Sequence, residues 1–218
     1  METLLPARFL FRLELPCRYR VAMPVRGERL LNLPEEYRLE NFAGIEGREN
    51  FADVWLAWNQ RGLGISARVT GKRKPPLCDA NRPAAGDGLQ VWIDTRAARG
   101  SHRANRFCHH FYFLRAGGGR RRRDPSGGQL RIRRAREEGR LCAPRDLAVH
   151  AEARSGGYLL EAFVPATALA GYDPAENPRL GFFYWLEDGE LGWQSLGYGR
   201  DFPYAEDPSL WTLVELVR

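Results

Sequence analysis

The chain has 218 residues, a net charge of +6 and a pI near 9.4, with 44% hydrophobic and 28% charged residues. These are the values of a soluble globular protein able to bury a sizeable core. Nowhere do about eighteen apolar residues run together, which excludes a membrane-spanning helix, so no membrane partner is expected.

The amino terminus, METLLPARFLFRLELPCRYR, is interrupted by Pro6, Arg8, Arg12 and Glu14 and has no continuous apolar stretch, so no signal peptide is expected. Cys17, Cys78, Cys108 and Cys142 lie far apart with no CxxC spacing, which suits free thiols in a reducing, cytoplasmic setting. Lys72 and Lys74 are the only lysines among 33 basic residues, a bias that points to codon usage in a GC-rich genome more than to a binding stripe.

Short β-rich runs then recur between Gly, Pro, Asn and Asp clusters, with few stretches of 3.6-residue period. In chain order they predict strands over Arg8–Leu15, Asp53–Trp58, Leu63–Val69, Gly88–Asp94, Phe107–Leu114, Leu147–Ala153, Tyr158–Val164, Leu180–Leu186, Leu191–Leu196 and Thr212–Val217. The turns NQRG (59–62), AAGDG (84–88), AGGG (116–119), RSGG (154–157) and EDGE (187–190) separate them. Pro165–Leu169 predicts one short helical turn. Residues 16–50 carry Pro16, Pro24 and Pro34 and little alternation, and read as irregular chain wrapping the core. The expected fold is all-β: a single domain over residues 1–218, an antiparallel β-sandwich of immunoglobulin or jelly-roll type.

Within this pattern, HRANRFCHHFYFL (102–114) places three histidines and a cysteine within nine positions. Successive strand side chains point to opposite faces, so adjacent His109 and His110 diverge and cannot share an ion. Cys108 and His110 could, but a structural zinc needs four ligands and no second pair is suitably spaced. No metal and no cofactor are expected. Phe107, Phe111 and Phe113 mark the core face, matched by Leu89, Val91 and Ile93 on the preceding strand. The opposite face would carry Gln90, Trp92, Asp94, His110 and Tyr112. Aromatics among hydrogen-bonding groups suit a sugar, whose C–H faces stack on rings while its hydroxyls need donors and acceptors. Alternatively, residues 16–50 or the amino terminus cover this face and make it a second core layer.

Five pieces resemble carbohydrate-binding module family 9, and they occur in the family's order: FADVWLAWNQRGLGISARV, GDGLQVWID, GYLLEAFVPATAL, RLGFFYWLED and DPSLWTLVEL. The likeness runs over roughly residues 50–217 and implies a non-catalytic β-sandwich module that binds a glycan or similar polyhydroxylated ligand. The family holds sugar between two tryptophans, one just before the GD of the second piece and one just before the DPS of the last. Here those places hold Ala84 and the Tyr204–Ala205 pair. The family's acidic contact falls at Gln90 and its polar partner-strand contact near Tyr112. The outer-face row and the resemblance together give an expected ligand set of Gln90, Trp92, Asp94, His110, Tyr112 and Tyr204, and the missing tryptophans imply weak or altered binding. An intracellular domain that has lost the sugar and binds a protein partner is the alternative.

RAGGGRRRRDPSGGQLRIRRAR (115–136) has four consecutive arginines in a Gly-rich context that could grip phosphate or sulfate, but it contains no aromatic. It reads as a solvated loop, and a nucleic-acid partner is not expected. Ser101, His102 and Asp94 invite a triad reading but lack a nucleophile elbow. Glu152 with Glu161, or Asp87 with Asp94, could supply paired carboxylates, but spacing alone does not make either pair flank a bond. Asp87 reads better as a turn residue. No catalytic residue is assigned.

Overall fold

The computed structural model describes residues 14–25, 29–40, 49–98, 100–197 and 199–218. Most of the predicted strand Arg8–Leu15 lies outside the described residues. Among the described residues eleven strands form one sheet: β1 (Glu14–Tyr19), β2 (Ala52–Asn59), β3 (Gly62–Thr70), β4 (Gly88–Asp94), β5 (Cys108–Gly118), β6 (Asp124–Leu130), β7 (Ala148–Arg154), β8 (Gly157–Pro165), β9 (Arg179–Asp188), β10 (Gly192–Ser195) and β11 (Thr212–Val217). Their order is β6-β5-β4-β9-β11-β1-β2-β3-β8-β7, with β10 beside the second half of β9. The predicted turn at 165–169 is a short 3-10 turn, Ala166–Ala168. Among the described residues no helix is long and apolar enough to cross a membrane.

The sheet is mixed and not antiparallel throughout. β1 runs parallel to both β11 and β2, so Cys17 pairs with Leu216 on one side while Arg18 pairs with Ala57 on the other. Parallel neighbours need a long crossover, and residues 20–51 supply it between β1 and β2. Residues 16–19, expected as irregular chain, are therefore strand. The sheet curls until its edge strands β6 and β7 lie side by side, with Gly127 against Val149, and becomes nearly closed and barrel-like.

Alternation decides what points inward. Leu89, Val91 and Ile93 of β4 and Phe111 and Phe113 of β5 meet Leu63, Ile65, Val69, Leu160 and Val164 from the opposite side in one buried cluster. Phe107 departs from the expected core row. It precedes β5 and lies half-buried beneath the guanidinium groups of Arg96 and Arg106, each 4.9 Å from its ring. His109 takes the inward place and is 1% exposed.

Each half of the sheet has its outer face covered by different chain. Met23, Leu31 and Tyr37 of the wrapping segment pack on Trp55, Ala57 and Phe163. The Glu161 carboxylate anchors them, accepting from the backbone N–H groups of Leu30 (2.8 Å), Leu31 (3.3 Å) and Asn32 (2.9 Å). These contacts leave Glu161 no catalytic freedom, and Glu152 is tied to Arg154 and Arg29. The other outer face, on β4, β5 and β9, carries a second apolar layer of Trp92, Cys108, Phe183, Trp185 and Trp211. Its cover among the described residues comes from Tyr204, Ala205, Ile132 and Ala135, and the described part of residues 16–50 packs on the other half of the sheet.

One strand was not anticipated. β6 pairs with β5 from His110–Leu130 to Gly118–Asp124, inside the segment read as a solvated loop. Its sequence, DPSGGQL, lacks alternation because Gly127 and Gly128 lie under the rings of Phe113 and Tyr112. A Cβ at Gly127 would come within 2.8 Å of Phe113, and one at Gly128 within 2.7 Å of Tyr112.

Candidate functional site

Gln90 sits between Tyr112 of β5 and Trp185 of β9, and Trp92 sits between His110 and Phe183. Two cross-strand rows, Tyr112–Gln90–Trp185 and His110–Trp92–Phe183, therefore share the outer face. Over them lies an open cleft of about 470 Å³ lined by Ala84, Ala85, Gln90, Trp92, His110, Trp185, Glu187, Arg200, Tyr204 and Ala205. That volume is in the range of small-ligand sites.

Four of the six expected ligand residues, Gln90, Trp92, His110 and Tyr204, line this cleft, as do both positions where the resembled family carries tryptophan. The other two do not. The Asp94 carboxylate closes the turn after β4, accepting from the N–H groups of Arg96 (2.9 Å) and Ala98 (2.8 Å), while burial pushes its pKa up. Tyr112 lays its ring over Gly128 of β6.

His110 stacks on Trp92 at 4.1 Å and 12°, and its Nε2 donates to Gln90 Oε1 at 2.9 Å. Burial pushes its pKa down to about 3, so the ring is neutral at physiological pH. Trp92 is only 2% exposed, and its indole N–H has no hydrogen-bond partner among the described residues. Burial also raises the Tyr204 phenol to about 12, which keeps its hydroxyl a donor.

Trp185, Glu187 and Arg200 were missed from the sequence. Trp185 is stacked with Trp193 (4.5 Å, 12°) and with Tyr204 (4.8 Å, 7°), and it is 3% exposed. Its indole N–H donates to Glu187 Oε2 at 2.8 Å, and Arg200 Nη2 donates to both Glu187 oxygens at 2.6 and 2.7 Å. The signal for Trp185 and Glu187 was present, because Phe183, Trp185 and Glu187 alternate outward along β9. The continuous apolar run RLGFFYWL concealed it. Arg200 lies in a loop with no periodicity to mark it.

The cleft combines ring edges, one neutral imidazole–amide pair and one neutralised ion pair. It offers a hydroxyl-rich ligand hydrogen-bonding groups without an unpaired charge, and it offers little free aromatic face.

The triad candidates do not converge. Asp94 is committed to its turn and Ser101 donates to the Arg103 carbonyl at 2.6 Å. His102 meets Asp207 and Ser209 instead, both through Nδ1 at 3.1 Å. His109 faces inward and His110 outward, so the two rings are on opposite sides of the sheet. Asp87, read as a turn residue, is a buried hub. It accepts from Lys72 Nζ (2.8 Å) and from the N–H groups of Leu77 (3.2 Å) and Gly189 (2.8 Å).

No family model and no curated protein matches the chain. Solved structures do. A carbohydrate binding module family 9 from Caldicellulosiruptor kristjanssonii in complex with cellotriose superposes with a TM-score of 0.61 at 13% identity, covering 94% of each chain. A family 9 module from the same organism in complex with glucose gives 0.58 at 13% identity, covering 94% of this chain and 95% of the other. The fold is family 9-like. At such identity the likeness concerns the fold alone, and it extends beyond residues 50–217 into the wrapping segment.

Proposed function

We propose that this family 9-like domain is a non-catalytic glycan-binding module whose ligand lies in the cleft between Gln90, His110, Glu187, Arg200 and Tyr204. The observation that carries the reading is the coincidence of an open cleft with the outer-face row and with both family clamp positions. In this proposal the two halves of the curled sheet act as the layers of a sandwich, and the four free thiols support a cytoplasmic setting. Binding is weak, because Ala84 cannot stack and the faces of Trp92 and Trp185 are occupied by His110, Trp193 and Tyr204. Millimolar dissociation constants for simple sugars are expected, about −4 kcal/mol.

Calorimetry with cello-oligosaccharides and glucose tests it on wild type, Ala84→Trp, Gln90→Ala and Tyr204→Ala. A stacking ring at residue 84 should tighten binding by about 1 kcal/mol, and each of the other two changes should weaken it. Wild-type binding that all three variants leave untouched would place the sugar elsewhere. The self-stacked aromatics favour a second reading, an interaction domain without a sugar, and absence of heat from every variant would select it.

A further inference from the structure

Several arginines of this chain are answered by a carboxylate: Arg68 by Asp53, Arg106 by Glu137, Arg200 by Glu187. The β5–β6 hairpin tip concentrates four that are not. Arg120, Arg121, Arg122 and Arg123 are consecutive and exposed, and among the described residues none of their guanidinium groups has an ion pair or hydrogen bond. The acid at the tip, Asp124, lies against Gly119. The tip is an ordered turn, closed by Arg122 N–H to the Gly119 carbonyl (3.2 Å) and Gly117 N–H to the Arg122 carbonyl (3.0 Å).

Its place in the fold connects it to the cleft. Gly117 packs on Ala80 so closely that a Cβ there would come within 3.2 Å. Ala80 belongs to the same loop as Ala84 and Ala85, which wall the cleft. From the Gln90–Tyr112 pair to Gly118 is six residues of β5, roughly 20 Å at strand rise. A chain of several sugar residues spans that distance, whereas a monosaccharide does not.

We propose that the ligand is an acidic polysaccharide, seated by one sugar ring in the cleft and held along its length by carboxylate or sulfate groups on Arg120–Arg123. The proposal rests on the glycan reading of the cleft. Guanidinium forks match both anions, and the neutral cleft leaves charge recognition to the tip. A nucleic acid fits less well, because no aromatic lies between residues 115 and 136 to stack a base and no α-helix is present among the described residues to enter a groove.

The test measures binding of oligogalacturonate (carboxylate), heparin-derived oligosaccharide (sulfate), a cello-oligosaccharide of equal length and a single-stranded oligonucleotide of equal charge. Proteins are wild type, Gln90→Ala and the quadruple variant Arg120→Ser, Arg121→Ser, Arg122→Ser, Arg123→Ser, with the fold checked by circular dichroism. At least one acidic oligosaccharide should bind tighter than the neutral one, more so at low salt. The quadruple variant should lose this advantage, roughly sixteenfold if each of the four exposed pairs contributes a factor of about two. Its affinity for the neutral sugar should be unchanged. Acidic chains that bind no tighter than the neutral one, or that ignore the quadruple change, overturn the proposal and leave the cleft reading standing. An oligonucleotide that binds as tightly as the acidic sugars marks a non-specific polyanion patch and also overturns it. Acidic and neutral sugars both indifferent to Gln90→Ala overturn the cleft reading itself.

Discussion

At the residue scale, the most constrained charge is Lys72. Its ammonium lies 2.8 Å from Asp87 and 2.7 Å from Asp188, with the three side chains 4%, 3% and 0% exposed. Burial alone would lower its pKa, but hydrogen bonds to Asp188 and then Asp87 outweigh that and hold it above the ordinary lysine value. Lys72→Met removes the partner and leaves two buried carboxylates, so a loss of about 3–5 kcal/mol is expected. Denaturant melts of Lys72→Met and of Lys72→Met with Asp188→Asn check it, with the double variant recovering part of the loss. A single variant as stable as wild type would show that the carboxylates neutralise at little cost. Asp87 also holds the loop at Leu77, so the same residue steadies the Ala84 wall of the cleft.

The buried histidines set a pH response. Burial pushes His109 down to about 4 and His110 to about 3, while the unfolded chain titrates them near 6.5. A folded-state pKa depressed in a basic group means the unfolded state binds the proton first. Stability is therefore full above about pH 6.5 and falls as pH drops toward 4, by on the order of 1 kcal/mol per pH unit per histidine. Urea midpoints at pH 7.5, 6.0 and 5.0 should fall in that order, and His110→Gln should flatten the trend. Equal midpoints at 7.5 and 5.0 would contradict neutral buried rings.

At the scale of the element, β6 carries the lesson. A strand is read from alternation, and DPSGGQL has none because its partner strand supplies the bulk. Phe113 and Val149 close over Gly127 from either side, with 2.8 and 2.9 Å to where its Cβ would be. Gly127→Val should therefore overpack the seam between β6 and β7 and cost about 1–3 kcal/mol. Val149→Ala combined with it should return part of that, as measured by thermal melts of the four-protein cycle. Additive losses with no coupling would mean that the seam is looser than described.

At the scale of the molecule, β1 holds the two halves together. It lies between β11 and β2, and without it the order divides into β6-β5-β4-β9-β11 and β2-β3-β8-β7. Cys17 faces the common core with no exposure, and burial drives its thiol pKa up. Cys17→Asp should cost several kcal/mol by placing a carboxyl among apolar side chains. Because β1 serves both halves, tryptophan fluorescence and far-UV circular dichroism should lose signal in one coincident transition. Two separated transitions would show the halves to be independent.

Local alternation was enough to read the all-β class, nine strands lying largely or wholly within the described residues and the inward residues Leu89, Val91 and Ile93 of β4 and Phe111 and Phe113 of β5, because side-chain direction in a strand follows from chain position alone. It also placed Gln90, Trp92 and His110 on one outer face. It could not reveal β6, whose glycines answer rings on another strand, or the parallel insertion of β1, which depends on a neighbour about two hundred residues away. Nor could it pair Arg200 with Glu187, occupy the face of Trp185 with Tyr204, or turn Asp94 into its own loop. Those are meetings of distant segments. Only the curled sheet brings them together, since the periodicity of one segment carries no information about what packs across it.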